Sequence, residues 1–284
     1  MASPIDDQAA VLRLLADTSA VLFDFDGPVC RLFTESTAEI AQRIKRRAQA
    51  CWGTLDPEVR ACDDSHHVLR PLWRIYERLC EEQAPVRPSR RPLEFAEKTV
   101  AEEEAAAVAG AVPADHVGEL VKHLSALRLR LVVVSNNAEG PILAYLEDKG
   151  LAPEFEAVFG RDPHDARLMK PNPDCVLRAR AHLDVPAQAC LLVGDQLTDL
   201  TAARRAGTRF LGWTQDEVQA KEMDRKGSDA VVSSHLPMAT AAHMLLEARR
   251  AADPVSRREA PTRSRTRPAA SPRTPRPGTR GRRP

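Results

Sequence analysis

Two carboxylates stand one residue apart at the end of an apolar run, Val21-Leu22-Phe23-Asp24-Phe25-Asp26, and Gly27-Pro28 breaks the strand directly after them. Charge is costly to bury, so a strand that ends in two aspartates needs partners for them. The chain supplies candidates further on. A largely apolar run, 129–134, leads into Ser135, Asn136 and Asn137; residues 189–193 lead into Gly194 and Asp195, with Asp199 four residues beyond. Lys170 falls between these runs, ahead of Pro171-Asn172-Pro173, in a chain with seven lysines against 34 arginines. Brought to one edge, these residues mass up to four carboxylates, which repel and titrate upward unless a cation joins them. A hard divalent ion resolves the conflict. Mg²⁺ fits, because it takes one or two carboxylates, keeps waters and takes substrate phosphate. Ser135, Asn136 and Lys170 are then donors for the remaining oxygens of an anion.

Each feature alone has an ordinary reading. Ser135 suits a turn, Lys170 a surface charge, and Gly194-Asp195 a plain loop. Asp24-Phe25-Asp26-Gly27 also resembles the start of a calcium loop, with Glu35 at the twelfth place. That loop, however, requires glycine where Val29 stands, and a helix before it rather than a strand. The four features in this order, three of them on apolar strands, are the stronger signal.

Elements must bring them together. Strand-type runs at 20–25, 129–134, 156–160, 189–193, 209–212 and 230–232 alternate with helical patterns, which predicts a parallel sheet with right-handed crossovers. Open sheets of this kind bind ligands at the carboxyl ends of their strands. The first strand is followed by a helical block. Ser36 and Glu39 have capping-box spacing for a helix up to Gly53, a second helix is expected over 64–82, and a third over 93–109. The expected class is α/β: a Rossmann-like parallel sheet flanked by helices, formed by 1–30 and 111–250, with an all-helical insert at 31–110.

In this arrangement the chain resembles the haloacid dehalogenase-like superfamily of phosphotransferases. Asp24-Phe25-Asp26-Gly27-Pro28-Val29 is similar to its first motif, Val134-Ser135-Asn136 to the second, Lys170-Pro171-Asn172-Pro173 to the third, and Gly194-Asp195-Gln196-Leu197-Thr198-Asp199 to the fourth. The resemblance covers roughly 18–235 and is to the phosphoglycolate phosphatase and β-phosphoglucomutase branch, whose helical cap is inserted between the first two motifs. It implies a Mg²⁺-dependent phosphatase for a small phosphorylated metabolite. Asp24 is then the nucleophile that forms an aspartyl-phosphate, and Asp26 the acid and base. Asp24, the Asp26 carbonyl and Asp195 would hold the metal, while Asp199 would act from behind them, through water or by orienting Lys170. Ser135, Asn136 and Lys170 would hold the phosphoryl oxygens, and Arg31, His66, His67 and Arg70 are candidate cap groups. A phosphosugar mutase uses the same carboxylates; a non-catalytic scaffold with a nucleic-acid-binding tail is a third reading. Pro28 departs from the family's commoner residues, and a stiffened hinge into the cap is the expectation there.

Composition agrees with a globular protein, 43% of its 284 residues being apolar. No run reaches the roughly 18 apolar residues of a membrane span. Met1–Ala10 lacks the basic and apolar pattern of a secretory signal. Six cysteines without a CxxC pair suggest reduced thiols in a cytoplasmic protein, with zinc at His66 and His67 a weak alternative. The net charge of +1 hides an asymmetry. Residues 251–284 hold ten arginines against Asp253 and Glu259, a net of +8, and the rest of the chain is −7. With seven prolines and few large apolar side chains, this tail is expected to be disordered. Lacking aromatic residues for base stacking, it is expected to be a solvated extension rather than a nucleic-acid arm.

Overall fold

The computed structural model describes residues 5–82 and 87–252. In chain order, the helices and strands begin with α1 (Gln8–Ala16), β1 (Ala20–Phe23) and β2 (Cys30–Arg31). The helices α2 (Ala38–Trp52), α3 (Pro57–Ala61), α4 (Leu69–Glu81) and α5 (Arg91–Ala107) follow, and then β3 (Val112–Pro113). Next come α6 (Val117–Ala126), β4 (Arg130–Val134), α7 (Glu139–Asp148), β5 (Ala157–Phe159), α8 (Asp174–Leu183) and β6 (Cys190–Gly194). The last are α9 (Leu197–Ala206), β7 (Arg209–Trp213), α10 (Glu217–Arg225), β8 (Ala230–Val232) and α11 (Leu236–Ala252). The first contact unit of the chain runs to Ala248. The tail expected to be disordered lies, from 253 onward, outside the described residues.

The six main strands form one parallel sheet in the order β5-β4-β1-β6-β7-β8. β1 is central and buried throughout. Its alternation sends Ala20 and Leu22 into the apolar layer beneath α8, α9 and α10, and Val21 and Phe23 into the layer beneath α1, α6, α7 and α11. A parallel strand covered on both faces is apolar at every position, which is why the run reads as continuous rather than alternating. The sequence expectation of a parallel sheet flanked by helices holds. Among the described residues no helix is long and apolar enough to cross a membrane.

The helices α2–α5 lie between β2 and β3, which pair antiparallel as Cys30 with Pro113 and Arg31 with Val112. The chain therefore leaves the sheet and returns to it through one two-stranded ribbon. The insert gathers its own apolar cluster around Ile44, Leu72, Ile75 and Val100. Its first helix starts differently from the expected capping box. The N-cap of α2 is Thr37, with no side-chain capping bond, because the Thr37 hydroxyl accepts from the Ser65 N–H at 3.1 Å instead. Helix α4 begins at Leu69, since residues 64–67 are held in a turn by Asp64 Oδ1, which accepts from the N–H groups of His66 (2.8 Å) and His67 (2.7 Å).

Candidate active site

Strand register decides which residues meet. Phe23 pairs with Val133 on one side and Val193 on the other, so the residues that follow all leave the sheet along one edge. The Asp24 N–H donates to the Val193 carbonyl (2.8 Å) and the Ser135 N–H to the Phe159 carbonyl (3.0 Å), carrying the ladder just past the strands. Asp24, Asp26, Ser135, Asn136, Asp195 and Asp199 thus line a single cavity of about 730 Å³. Arg31, Phe33, His66 and His67 line it as well.

Lys170 sits behind this wall rather than on it. Its ammonium lies 2.8 Å from Asp24 Oδ1 and 2.6 Å from Asp199 Oδ1, and donates to the Val134 carbonyl at 3.2 Å. Those three acceptors match the three hydrogens an ammonium has. The expected role of Lys170 as a direct phosphate donor therefore requires one of these bonds to be exchanged. Burial works against its charge, but Asp199 and Asp24 outweigh burial and raise its pKa. Asn136 is committed as well. Its Oδ1 accepts from the Lys170 N–H (2.7 Å) and its Nδ2 donates to the Lys170 carbonyl (3.3 Å), tying the two loops together.

The carboxylates differ in what they have left to offer. Asp24 Oδ1 accepts from the Phe25 N–H (2.7 Å) as well as facing Lys170, so both contacts fall on one oxygen. Asp199 spends Oδ1 on Lys170 and Oδ2 on the Gln196 N–H (2.9 Å), the capping box of α9. Asp195 Oδ2 accepts from Gln196 Nε2 (2.9 Å), but its Oδ1 is buried without a hydrogen-bond partner. Asp26 Oδ1 accepts from the Leu32 N–H (3.0 Å). Burial pushes the Asp24 carboxyl up to about 7, with Asp199 adding to the rise and Lys170 opposing it. Burial, then Asp24 and Asp199, push Asp195 up to about 8. Asp26 is also raised, chiefly by burial.

Asp24, Asp195 and Asp199 can each bring a carboxylate oxygen to within 4.8 Å of the others, a spacing that could hold a metal ion. An orphaned buried carboxylate oxygen is costly, and a cation is the partner that would satisfy Asp195 Oδ1. The donor set fits a hard divalent ion, with Asp24 and Asp195 as the oxygens left available. Two glycines make the approach possible. Gly27 has φ +104°, and a Cβ there would meet Asp195 Cγ at 2.8 Å; a Cβ on Gly194 would meet the Asp199 carboxylate at 2.6 Å.

Of the insert residues expected at the site, Arg31, His66 and His67 line the cavity. Arg70 is absent from its lining; its nearest polar contact is the Lys170 carbonyl at 3.5 Å. His66 and His67 diverge, with side-chain exposures of 16% and 79%. Among the described residues the grouping able to hold a metal includes neither of them.

A cluster that went unread in the sequence lies behind His66. Glu104 of α5 is fully buried and faces His66 Nε2 (2.5 Å), Arg161 Nη1 (2.6 Å) and Asn137 Nδ2 (3.0 Å). Burial pushes the Glu104 carboxyl up, but His66 and Arg161 more than reverse this and hold it at about 2. One signal was available. Glu97 and Glu104 stand seven residues apart on the stripe of Leu93, Ala96 and Val100, and both contact Arg161.

The haloacid dehalogenase-like hydrolase family model matches residues 18–207. The chain belongs to that family. It is 30% identical over 119 residues to the phosphoglycolate phosphatase of Escherichia coli K12, a stretch covering 42% of this chain and 46% of that enzyme. A 32% identity over 99 residues relates it to the phosphoglycolate phosphatase of Salmonella choleraesuis, covering 35% of this chain and 38% of the relative. The chain thus spans under half the length of these curated relatives in the matched region. A predicted phosphatase from Clostridium acetobutylicum shares the fold at a TM-score of 0.55 and 18% identity, over 81% of this chain and 99% of that one. The CbbY protein of Rhodobacter sphaeroides, solved in complex with phosphate, superposes at 0.51 with 23% identity, over 76% and 94%.

Proposed function

We propose that this protein is a phosphatase that hydrolyses the phosphate monoester of a small metabolite through an aspartyl-phosphate on Asp24. The observation that carries the reading is the pairing at the end of β1. Asp24 and Asp26 both line the cavity and burial raises both, but Asp24 faces a buried ammonium that opposes the rise, whereas Asp26 is held by the Leu32 N–H. Two carboxyls in environments this different can do different work.

In the first step a carboxylate oxygen of Asp24 attacks phosphorus in line and the ester P–O bond breaks. The Asp26 carboxyl gives its proton to the departing alkoxide. In the second step Asp26, now a carboxylate, takes a proton from water as that water attacks phosphorus. Orthophosphate leaves and Asp24 is regenerated. Lys170 favours the ionised form of Asp24 against the burial that opposes it, and Asp199 holds Lys170 in place. Ser135 supplies a hydroxyl to the transferring group. Asp24, Asp195 and the Asp26 carbonyl would hold Mg²⁺, which when bound lowers the charge repulsion between nucleophile and phosphate.

The insert α2–α5 acts as a cap that excludes water and selects the leaving group, with Arg31, His66 and His67 facing it. Its separate apolar cluster and the single ribbon that joins it to the sheet support this division. The relatives named phosphoglycolate phosphatase support the reaction class, and a small phosphorylated metabolite is the corresponding substrate class. The deciding experiment is hydrolysis of p-nitrophenyl phosphate with Mg²⁺ by the wild type and by Asp24→Asn. Turnover by the wild type alone is expected; equal rates in the two proteins overturn the reading.

A further inference from the structure

The buried cluster around Glu104 has no place in the reaction above, yet it lies directly behind the loop that carries Ser135. Burying an ion pair is weak evidence for stability, since apolar packing of the same volume often does as well. What the cluster does provide is orientation. An ionised carboxylate can only accept hydrogen bonds. Glu104 Oε1 therefore fixes which end of the Asn137 amide faces it: Nδ2 donates to Glu104 at 3.0 Å. The side-chain oxygen of Asn137, Oδ1, is turned the other way and accepts from the Ser135 hydroxyl at 2.9 Å. Ser135 Oγ in turn accepts from the Asn137 N–H at 3.1 Å. The second oxygen, Glu104 Oε2, accepts from the Ala138 N–H at 3.1 Å, so one carboxylate clasps two successive residues of the loop.

We propose that Glu104, acting through Asn137, is the positioning residue for the phosphate-binding hydroxyl of Ser135. This rests on the phosphatase reading, in which Ser135 meets the phosphoryl group. The Ser135 oxygen is held in place by two bonds to Asn137 before substrate arrives. When a phosphoryl oxygen replaces Asn137 Oδ1 as acceptor, only the hydroxyl hydrogen has to move. Without the Glu104 charge the amide is free to turn over, and the rotamer of Ser135 loses its support. Because Glu104 belongs to the last helix of the insert, the phosphate loop is complete only while α5 is seated against it. Arg161, which is fully buried, keeps Glu97 as a second partner at 2.9 Å. Removing the Glu104 charge therefore does not strand the guanidinium.

A double-mutant cycle tests this. Glu104→Gln, Ser135→Ala and the combination are compared for p-nitrophenyl phosphate hydrolysis with Mg²⁺, and for orthophosphate affinity by calorimetry. Glu104→Gln is expected to lower kcat/KM about tenfold, the loss of roughly one charged hydrogen bond, and to do so less than twofold when Ser135 is already alanine. Orthophosphate affinity is expected to show the same non-additivity. Asn137→Ala leaves the Glu104–Arg161 pair intact and is expected to reproduce the result, which covers the case of a Glu104 variant that does not fold. An equal loss in both backgrounds would mean a purely structural role and overturns the proposal, as does an unchanged rate in folded Glu104→Gln. A wild type that binds orthophosphate but does not turn over defeats the phosphatase reading alone, since the binding cycle still decides the role of Glu104. A wild type that binds no orthophosphate overturns both.

Discussion

The ammonium of Lys170 and the carboxylate of Asp199 face each other at 2.6 Å, with neither side chain more than 1% exposed. Asp24 shares the same ammonium at 2.8 Å, so one lysine neutralises two acids that would otherwise repel. Removing it leaves buried acids without their counter-charge, and breaking a buried pair in this way costs about 3–5 kcal/mol. Lys170→Met is therefore expected to lower the melting temperature and to reduce kcat/KM by about 100-fold or more, because Asp24 would hold its proton at neutral pH. Asp199→Asn keeps one acceptor oxygen, for Lys170 or for the Gln196 N–H but not for both, and Lys170 still faces Asp24, so its loss should be smaller, about 10–100-fold. Steady-state kinetics beside thermal melts of the two variants check this ranking; equal losses would contradict it.

The two aspartates of β1 should fail in different ways. Asn in place of Asp24 can still accept from the Phe25 N–H, but it cannot attack phosphorus. Turnover should vanish while the metal-free fold at pH 8 is at least as stable as the wild type, because burial already works against the Asp24 charge. Asn in place of Asp26 can still accept from the Leu32 N–H, so the loop should stay in place. Loss of its proton should slow hydrolysis by about 10²–10⁴-fold for alkyl phosphates. The loss should be much smaller for p-nitrophenyl phosphate, whose leaving group needs little protonation. Comparing the two substrates separates an acid from a structural residue.

Chelation gives a third test. Treatment with EDTA should abolish hydrolysis and added Mg²⁺ should restore it. A ligand that binds only the folded state also stabilises it. Mg²⁺ should therefore raise the melting temperature of the wild type, and should do so much less for Asp195→Asn, which loses one of the two available carboxylates. A rise of equal size in both proteins would place the ion elsewhere.

How far the sequence revealed this depends on the range of the interactions. The edge of the sheet was legible because strand alternation and residue type act locally. Apolar residues at 20–23, 131–134 and 190–193 ended in groups too polar to be buried without purpose, and parallel register then aligned them. Short helices were harder. Helix α3 buries only Val59, and α10 only Ala220 and Met223, too thin a stripe to show a period. Glu104 was hidden for a different reason. It ends a run of three glutamates that reads as a solvated face, and its burial depends on Arg161, 57 residues away. Nor did the sequence show that the Lys170 ammonium is saturated, because that follows from a carbonyl of β4. Pro28 is explained only by the fold. It is buried in the turn between β1 and β2, where a residue without an N–H leaves no donor unsatisfied, and its carbonyl receives a bond from His235.

That bond leads to a prediction about acid stability. His235 is fully buried, its Nε2–H donating to the Pro28 carbonyl at 2.6 Å and its ring stacked 5.6 Å from Trp213 and edge-on to Phe23. Burial lowers its pKa to about 4; the Pro28 bond and Asp115 oppose this, and His116 adds to it. Above the ordinary value of 6.5 both folded and unfolded chains carry a neutral ring, so the group makes stability no more pH-dependent there. Between 6.5 and about 4 the unfolded chain takes up a proton that the fold refuses, and stability falls as the pH falls. The full shift corresponds to about 3 kcal/mol. Other groups titrate in the same range, so the measurement is a difference. In urea denaturation at a series of pH values, the wild type should lose stability between pH 6.5 and 4 relative to His235→Gln, whose amide can still donate to Pro28 but cannot titrate. Parallel curves for the two proteins across that window would show that the His235 ring is not held neutral by the fold.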